Sequence, residues 1–339
     1  MLVAQQKLLK EFKNKKILIT GGTGSIGIGL AKQLINFKPK SIRILANDEN
    51  SIFEMKQMFG KNPMFTFMMG DIRDRARLDL AIKNIDIVFH TAAMKHVDIC
   101  EQNPFDAVKT NVIGTSNILE ASLIENISKF VFISTDKATN PSSTLGASKL
   151  LAERLTMDAN SYRGSGKTIF SIVRFGNVIG SRGSVFQIFL EQIKKHRPLT
   201  ITDSRMTRFI MSISEATNLI LEVTHKAKDG EVFILKMPSV TITNLAKTMI
   251  KICNKKISSK EKLSSIKTSK LKEGERFEEF LITDEEIPFC QDLGKMYKIT
   301  KNISNTRKVS KVNFNSSTAT KISQDNLEKI ILELLEEYN

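Results

Sequence analysis

Cysteine is scarce: Cys100, Cys253 and Cys290 are the only three in 339 residues, and no two stand in C-x-x-C spacing. An odd, scattered set signals neither a zinc site nor a disulfide framework, and it fits a reducing compartment. Long apolar runs are missing too. No stretch approaches the ~18 residues of a membrane span, and the first ten residues lack the apolar core of a secretory signal. A cytoplasmic protein without a membrane span is therefore expected. Acidic residues are outnumbered, 36 against 51 Lys and Arg, which leaves a net charge of +15. That balance suits nucleic acid, an anionic membrane or a polyanionic small substrate, and charge alone does not choose. The densest basic stretch, Lys251 to Lys272, holds eight lysines without aromatic interleaving or a nucleic-acid module. It reads as a solvated face, and no nucleic-acid partner is expected. Repeats and low-complexity linkers are absent.

What is present is ordinary globular usage, 41% hydrophobic and 26% charged, in a chain about 2.3 times the ~150-residue domain prior. Short β-rich runs alternate with helical patterns at Lys16 to Thr20, Ile42 to Ala46, Phe65 to Met69, Ile85 to His90, Phe130 to Ser134 and Ile169 to Arg174. Each gap has room for a crossover helix, so the fold class is α/β, a doubly wound parallel sheet. After Gly180 the rhythm breaks into shorter elements and ends in an amphipathic helix through Leu327, Ile331 and Leu334. We expect a dinucleotide-binding domain over 1–180 and a smaller α/β substrate region over 181–339. Some of its elements would pack back on the first domain, with the site in the cleft between the two.

The first strand runs straight into Gly21-Gly22-Thr23-Gly24-Ser25-Ile26-Gly27, and a helical pattern follows. Glycines at 21, 24 and 27 permit a tight turn, close approach to a pyrophosphate and close helix packing, with the helix N-terminus facing the phosphates. Placed between strand and helix, the motif predicts a dinucleotide site. Asn47 and Asp48, after the second strand, stand where an acidic group would meet the adenosine ribose. Acid there favours NAD, while a nearby Arg43 or Lys56 would suit NADP, so the cofactor is NADP or NAD. Asp71 and Ile72 would suit the adenine edge, although Asp71 could equally cap the next helix.

The carboxyl ends of the fourth and fifth strands carry Ala92, Ala93, Lys95 and His96, then Ser134, Thr135, Asp136 and Lys137. Asn111 and Lys149 lie on the helices that follow. Doubly wound folds place ligands at these ends, so the residues should converge. Here the chain resembles the extended short-chain dehydrogenase/reductases, and within them the UDP-N-acetylglucosamine 4,6-dehydratases of surface-glycan synthesis. The matching stretches read ITGGTGSIG, GDIRD, AAMKHV, KTNVIGT, ISTDKATNP, RFGNVIGSRGS and TDSRMTRF, with a looser match at LKEGERFE, and they span about residues 15 to 290.

Most of the wider superfamily carries a tyrosine four residues before the active-site lysine. Four before Lys149 is Leu145, which cannot transfer a proton, so acid and base must be found elsewhere, and the resemblance implies that Thr135-Asp136-Lys137 supplies both. The resemblance implies oxidation at sugar C4, removal of the C5 proton by Lys137, protonation of the departing C6 hydroxyl by Asp136, and hydride return to C6. The cofactor would thus be tightly bound and regenerated at each turnover. Lys137 would need a depressed pKa, lowered by the nicotinamide cation and Lys149, and Asp136 a raised one. Thr135 would bond the sugar O4 and Lys149 the nicotinamide ribose, while Lys95 and Asn111 would line the cleft beside Ala92, Ala93 and Ser134. His96 is read as structural.

For the UDP end the resemblance implies contacts from Asn177, Val185, Met206 and Arg208, with Arg208 on the diphosphate. Lys272 stands for the family's usual arginine and loses its bidentate geometry, and Glu275 could accept from the uridine ribose. The implied partner is UDP-N-acetylglucosamine or a related UDP-sugar, and a homo-oligomer is expected. The MTRF and SRGS segments look somewhat more like the inverting members. A 4-epimerase on the same scaffold is one alternative, opposed by the Asp136-Lys137 pair. A silent dinucleotide-binding regulator is another, supported by Leu145.

Overall fold

Strands buried on both faces read as continuous apolar runs, and Lys16–Thr20 is such a strand, with its last four residues buried. The computed structural model describes residues 2–228, 230–256, 265–271, 273–300 and 314–337. Its first six strands are β1 (Lys16–Thr20), β2 (Ser41–Ala46), β3 (Phe65–Met69), β4 (Ile87–His90), β5 (Lys129–Ile133) and β6 (Ile169–Arg174). They fall on the six predicted runs to within two residues. β7 (Asn177–Val178), β8 (Leu199–Ile201), β9 (Thr207–Met211), β10 (Glu231–Leu235), β11 (Ser239–Thr241), β12 (Ile266–Thr268), β13 (Cys290–Asp292) and β14 (Met296–Ile299) complete the set.

The main sheet runs β13-β14-β10-β6-β5-β4-β1-β2-β3. β10 through β3 are mutually parallel, and β14 and β13 close the edge antiparallel. Strand order reverses between β1 and β4, and this switch point opens a crevice at the carboxyl ends where ligands sit in doubly wound sheets. β11-β9-β7 and β12-β8 form two smaller sheets. Beside them lies a second core that includes Phe186, Phe189, Met249, Leu327 and Ile331, the last two from the predicted C-terminal helix, Gln324–Glu337.

Residue 180 is not a clean boundary. Helix Ile213–Lys226 packs on helix Ser25–Leu34, where Gly29 leaves room for Ile213 and Thr217. β10, β14 and β13 then extend the first domain's sheet. The chain crosses between the two regions repeatedly, which puts the cleft between segments distant in sequence.

Candidate active site

One cleft of about 1270 Å³ runs from the Gly-rich turn, past the ends of β4 and β5, to the β9 strand and the 273–279 segment. At its cofactor end Gly21 has φ +62°, and a Cβ there would lie 2.6 Å from Ala92 Cα. At Gly27 a Cβ would lie 2.4 Å from the Gly22 carbonyl oxygen. Both positions admit only glycine, so the turn folds tightly enough to present backbone to a ligand. No side chain caps helix Ser25–Leu34, whose N-cap is Gly24. This open cradle fits a dinucleotide pyrophosphate. Gly21, Thr23, Gly24, Ser25 and Ile26 line the cleft, as do Ala92, Ala93 and Ser134, whereas Gly27 packs behind the turn.

At the adenosine end Asn47 donates to Asp71 (3.3 Å), which Arg73 grips through Nε and Nη2 at 3.0 and 2.7 Å. Asn47, Asp71 and Ile72 line the cleft. The cap of the next helix is Asp74, not Asp71. Asp48 is absent from the cleft wall. Its carboxylate accepts from Ser51 N (2.7 Å) and caps helix Glu49–Phe59, and the Ser51 hydroxyl donates to Thr23. An acidic residue at an N-cap spends its oxygens on its own helix.

Asn111 also departs from expectation. A π-turn at Val108–Ile113 carries it under the β4 loop, where it accepts from Met94 N (2.8 Å) and donates to Met94 O (3.1 Å) and Ser148 (3.0 Å). Buried and fully engaged, it braces the loop rather than lining the cleft. Lys95 lines the cleft and donates to the Arg182 carbonyl, while Arg182 N donates to Ser25 Oγ (3.0 Å). The loop at 181–184 is thereby tied across the Gly-rich turn. Arg182 had no sequence signal of its own beyond the SRGS match.

The Thr135-Asp136-Lys137 trio sits on a short turn after β5. Thr135 Oγ1 donates to Asp136 Oδ1 (2.9 Å), and Lys137 Nζ lies 3.0 Å from the same oxygen, 3.2 Å from Asn177 Oδ1 and 3.3 Å from Glu279 Oε1. Asp136 is fully buried, and its Oδ2 has no hydrogen-bond partner among the described residues. Burial would lower the Lys137 pKa, but the carboxylates of Asp136 and Glu279 outweigh it and hold the ammonium form above its ordinary range. The expected depression is thus reversed, because the charges nearest Lys137 are carboxylates.

Lys149, on helix Thr144–Asp158, donates to the Ile133 carbonyl (2.6 Å) and lies 4.1 Å over the Phe132 ring. Burial lowers its pKa to about 7. Leu145 is buried and lines the cleft where a tyrosine would stand. Beneath the site His90 is wedged between Thr20 (2.7 Å) and Thr115 (3.1 Å), and burial, then Lys149, lower its pKa to about 3. The unfolded chain binds that proton near pH 6.5, the folded chain only near 3. Stability should therefore fall as pH drops through this window, by up to about 1.4 kcal/mol per unit. Urea midpoints across the window should show a shallower slope in His90→Gln, and an unchanged slope would sink this assignment.

Toward the other end, Asn177, Val185, Met206, Arg208 and Glu275 all line the cleft. Arg208 donates to the carbonyls of Thr207 and Arg276 (both 2.8 Å), with Nε 3.8 Å from Glu279 Oε1 and Nη2 3.9 Å from Glu275. Thr202 donates to Glu275 (3.1 Å). Lys272 lies outside the described residues. Glu279 was missed by sequence reasoning. It lies one residue beyond the matching LKEGERFE stretch, is 2% exposed, and touches both Lys137 and Arg208. Among the described residues no cluster could hold a metal ion and no helix is long and apolar enough to cross a membrane.

Residues 17–301 match the family described as polysaccharide biosynthesis protein. A protein of Methanocaldococcus jannaschii described as an uncharacterized membrane protein is 47% identical, over 97% of this chain and 98% of its own. Two relatives at 39% identity carry different names. One is a UDP-N-acetylglucosamine 4,6-dehydratase (inverting) from Campylobacter jejuni, covering 86% of this chain and 84% of its own. The other is a UDP-glucose 4-epimerase from Rickettsia bellii, covering 85% and 83%. The X-ray structure of Pen from Bacillus thuringiensis, 40% identical, superposes with a TM-score of 0.90 over 95% of this chain and 98% of that one.

Proposed function

The chain belongs to the CapD-like polysaccharide biosynthesis family of extended short-chain dehydrogenase/reductases, and from that premise we propose that it is a UDP-N-acetylglucosamine 4,6-dehydratase. The product is a 4-keto-6-deoxy sugar nucleotide for a surface glycan. One observation carries the reading: a buried carboxylate and an amine share a 3.0 Å contact at the end of β5, while the tyrosine position holds leucine. An epimerase needs no proton donor for C6, whereas a dehydratase needs an acid and a base side by side.

The Gly-rich turn, Asn47, Asp71 and Ala92 would hold NADP or NAD, with Lys149 at the nicotinamide ribose. When bound, the cofactor would supply a reversible hydride acceptor. Thr135 Oγ1 bonds the sugar O4, Lys137 takes the C5 proton, and Asp136 protonates the departing C6 oxygen. Arg208 faces the diphosphate, Glu275 the uridine ribose, and Asn177, Val185 and Met206 the sugar. Exposed Phe105, Val108, Leu151 and Leu155, on neighbouring helical segments, support a homo-oligomer. Three buried free thiols support a cytoplasmic home.

Incubation with UDP-N-acetylglucosamine in deuterated water, without added cofactor, is expected to give a product lighter by one water and deuterated at C5. Mass spectrometry and proton NMR read both, and the coupling pattern reports inversion or retention. An isomer of unchanged formula, inverted at C4, would establish the epimerase instead. Unchanged substrate, with NAD and NADP both supplied, would overturn the enzyme assignment for this sugar.

A further inference from the structure

The dehydration proposed above must park two protons before water can leave. One is the O4 proton released when C4 is oxidised. The other is the third proton of Lys137, which must go before the amine can attack C5–H. Asp136 alone cannot take both. Two buried carboxylates flank Lys137, and each keeps one oxygen, Asp136 Oδ2 and Glu279 Oε2, without a hydrogen-bond partner among the described residues.

We propose that Glu279 is the positioning residue that holds the Lys137 proton during turnover, leaving Asp136 free to receive the O4 proton through Thr135. The proposal rests on the dehydratase reading. Its geometry is a continuous chain, Thr135 Oγ1 to Asp136 Oδ1 at 2.9 Å, to Lys137 Nζ at 3.0 Å, to Glu279 Oε1 at 3.3 Å.

The protons balance. Lys137 passes one to Glu279 and becomes neutral. As C4 is oxidised, O4–H gives its proton to Thr135 Oγ1, which gives its own to Asp136. Neutral Lys137 then takes the C5 proton. The C5–H electron pair forms the C5–C6 double bond as the C6–O bond breaks, and the oxygen leaves with the proton of Asp136 as water. Lys137 finally returns its proton to C5 while C6 accepts the hydride first lost from C4, and Glu279 gives its held proton back to Lys137. Glu279 ends as it began.

Glu279 is well placed for this. Its backbone is clasped by Ser316, which accepts from Glu279 N and donates its own N–H to Glu279 O, both at 2.9 Å. The charged groups facing its carboxyl are Lys137 and Asp136 from the β5 turn and Arg208 from β9. Burial raises its pKa, so it can hold a proton where an exposed glutamate could not.

The test compares wild type with Glu279→Gln and Glu279→Asp in two ways. In wild type the proton moves internally, so kcat should be flat across neutral pH. In Glu279→Gln the amine must lose its proton to solvent. There kcat should be about 10²-fold lower at neutral pH and rise about tenfold per pH unit, with KM little changed. Glu279→Asp, which keeps the charge, should restore a flat profile in part, and it stands in should the glutamine variant not fold. Separately, the side-chain nitrogen of Lys137 is followed by NMR in lysine-labelled protein and identified by its loss in Lys137→Arg. Its titration midpoint should fall in Glu279→Gln. A glutamine profile parallel to wild type, or an unmoved midpoint, overturns the proposal. A wild type that leaves the sugar untouched overturns the dehydratase reading alone, and the lysine midpoint then decides the coupling.

Discussion

Asp136→Asn protein is expected to lose dehydration by about 10³-fold while binding the sugar nucleotide almost as well. Asparagine matches aspartate in size and can still accept from Thr135 and Lys137 through its carbonyl oxygen, so the turn after β5 should survive. What it cannot do is carry a proton to the C6 oxygen, or take one from O4. A contrasting result is expected from Lys137→Met, where Asp136 still accepts the O4 proton but nothing attacks C5–H. Bound cofactor should then become reduced on mixing with substrate, without loss of water, whereas in Asp136→Asn it should stay oxidised. Nicotinamide absorbance and mass spectrometry on one mixing experiment separate the two. Near wild-type water loss in Asp136→Asn would remove the proposed acid.

The parts of this site that the sequence makes legible are contiguous. The Gly-rich turn, the β4 loop and the Thr135-Asp136-Lys137 turn are short segments at strand ends, and a parallel sheet of known direction brings such ends together. Contacts between distant segments are not legible. Phe277 and Glu279 stand two apart, which in extended chain would set them on one face, and hydrophobicity would favour burying the phenylalanine over the glutamate. Instead Phe277 is 44% exposed and Glu279 2%, because Lys137 and Arg208 wait inside to compensate the carboxylate. The reversed pKa direction at Lys137 owes most to Asp136, its chain neighbour, and then to this hidden partner. Asp48 and Asn111 turn to other partners for another reason. A polar residue near a ligand site can be consumed by a helix cap or a loop brace, and residue type does not distinguish that from ligand contact. The division at 180 is approximate because β10, β13 and β14 are short runs whose pairing with β6 and with one another depends on the whole sheet.

Arg174→Leu is expected to cost about 3–5 kcal/mol of stability, read as a lower urea midpoint. Arg174 ends β6, is 1% exposed, and forks onto two carboxylates: Glu153 at 3.0 and 2.6 Å, and Glu286 at 2.8 Å through each terminal nitrogen. A further bond reaches the Leu281 carbonyl at 3.0 Å. Leucine leaves Glu153 buried and Glu286 half-buried without the guanidinium, which is the costly way to break such a cluster. Arg174→Lys keeps the charge but not the fork and should fall between. The pH dependence carries the sign. Burial pushes the Glu286 pKa up, but Arg174 overrides it and holds the carboxyl below its ordinary range. The cluster therefore stabilises above that range and loses its contribution as pH falls and Glu286 protonates. The gap between wild type and Arg174→Leu should be widest near neutrality and close in acid, and a gap independent of pH would refute the electrostatic account. Function is bound to the same cluster. Glu153 shares its helix with Lys149, and Leu281 lies two residues beyond Glu279, so Arg174 clamps the lysine assigned to the cofactor ribose to the segment that brings a carboxylate against Lys137. Loosening that clamp should raise kcat's sensitivity to urea below the unfolding midpoint, since the Lys137–Glu279 contact would yield before the sheet does.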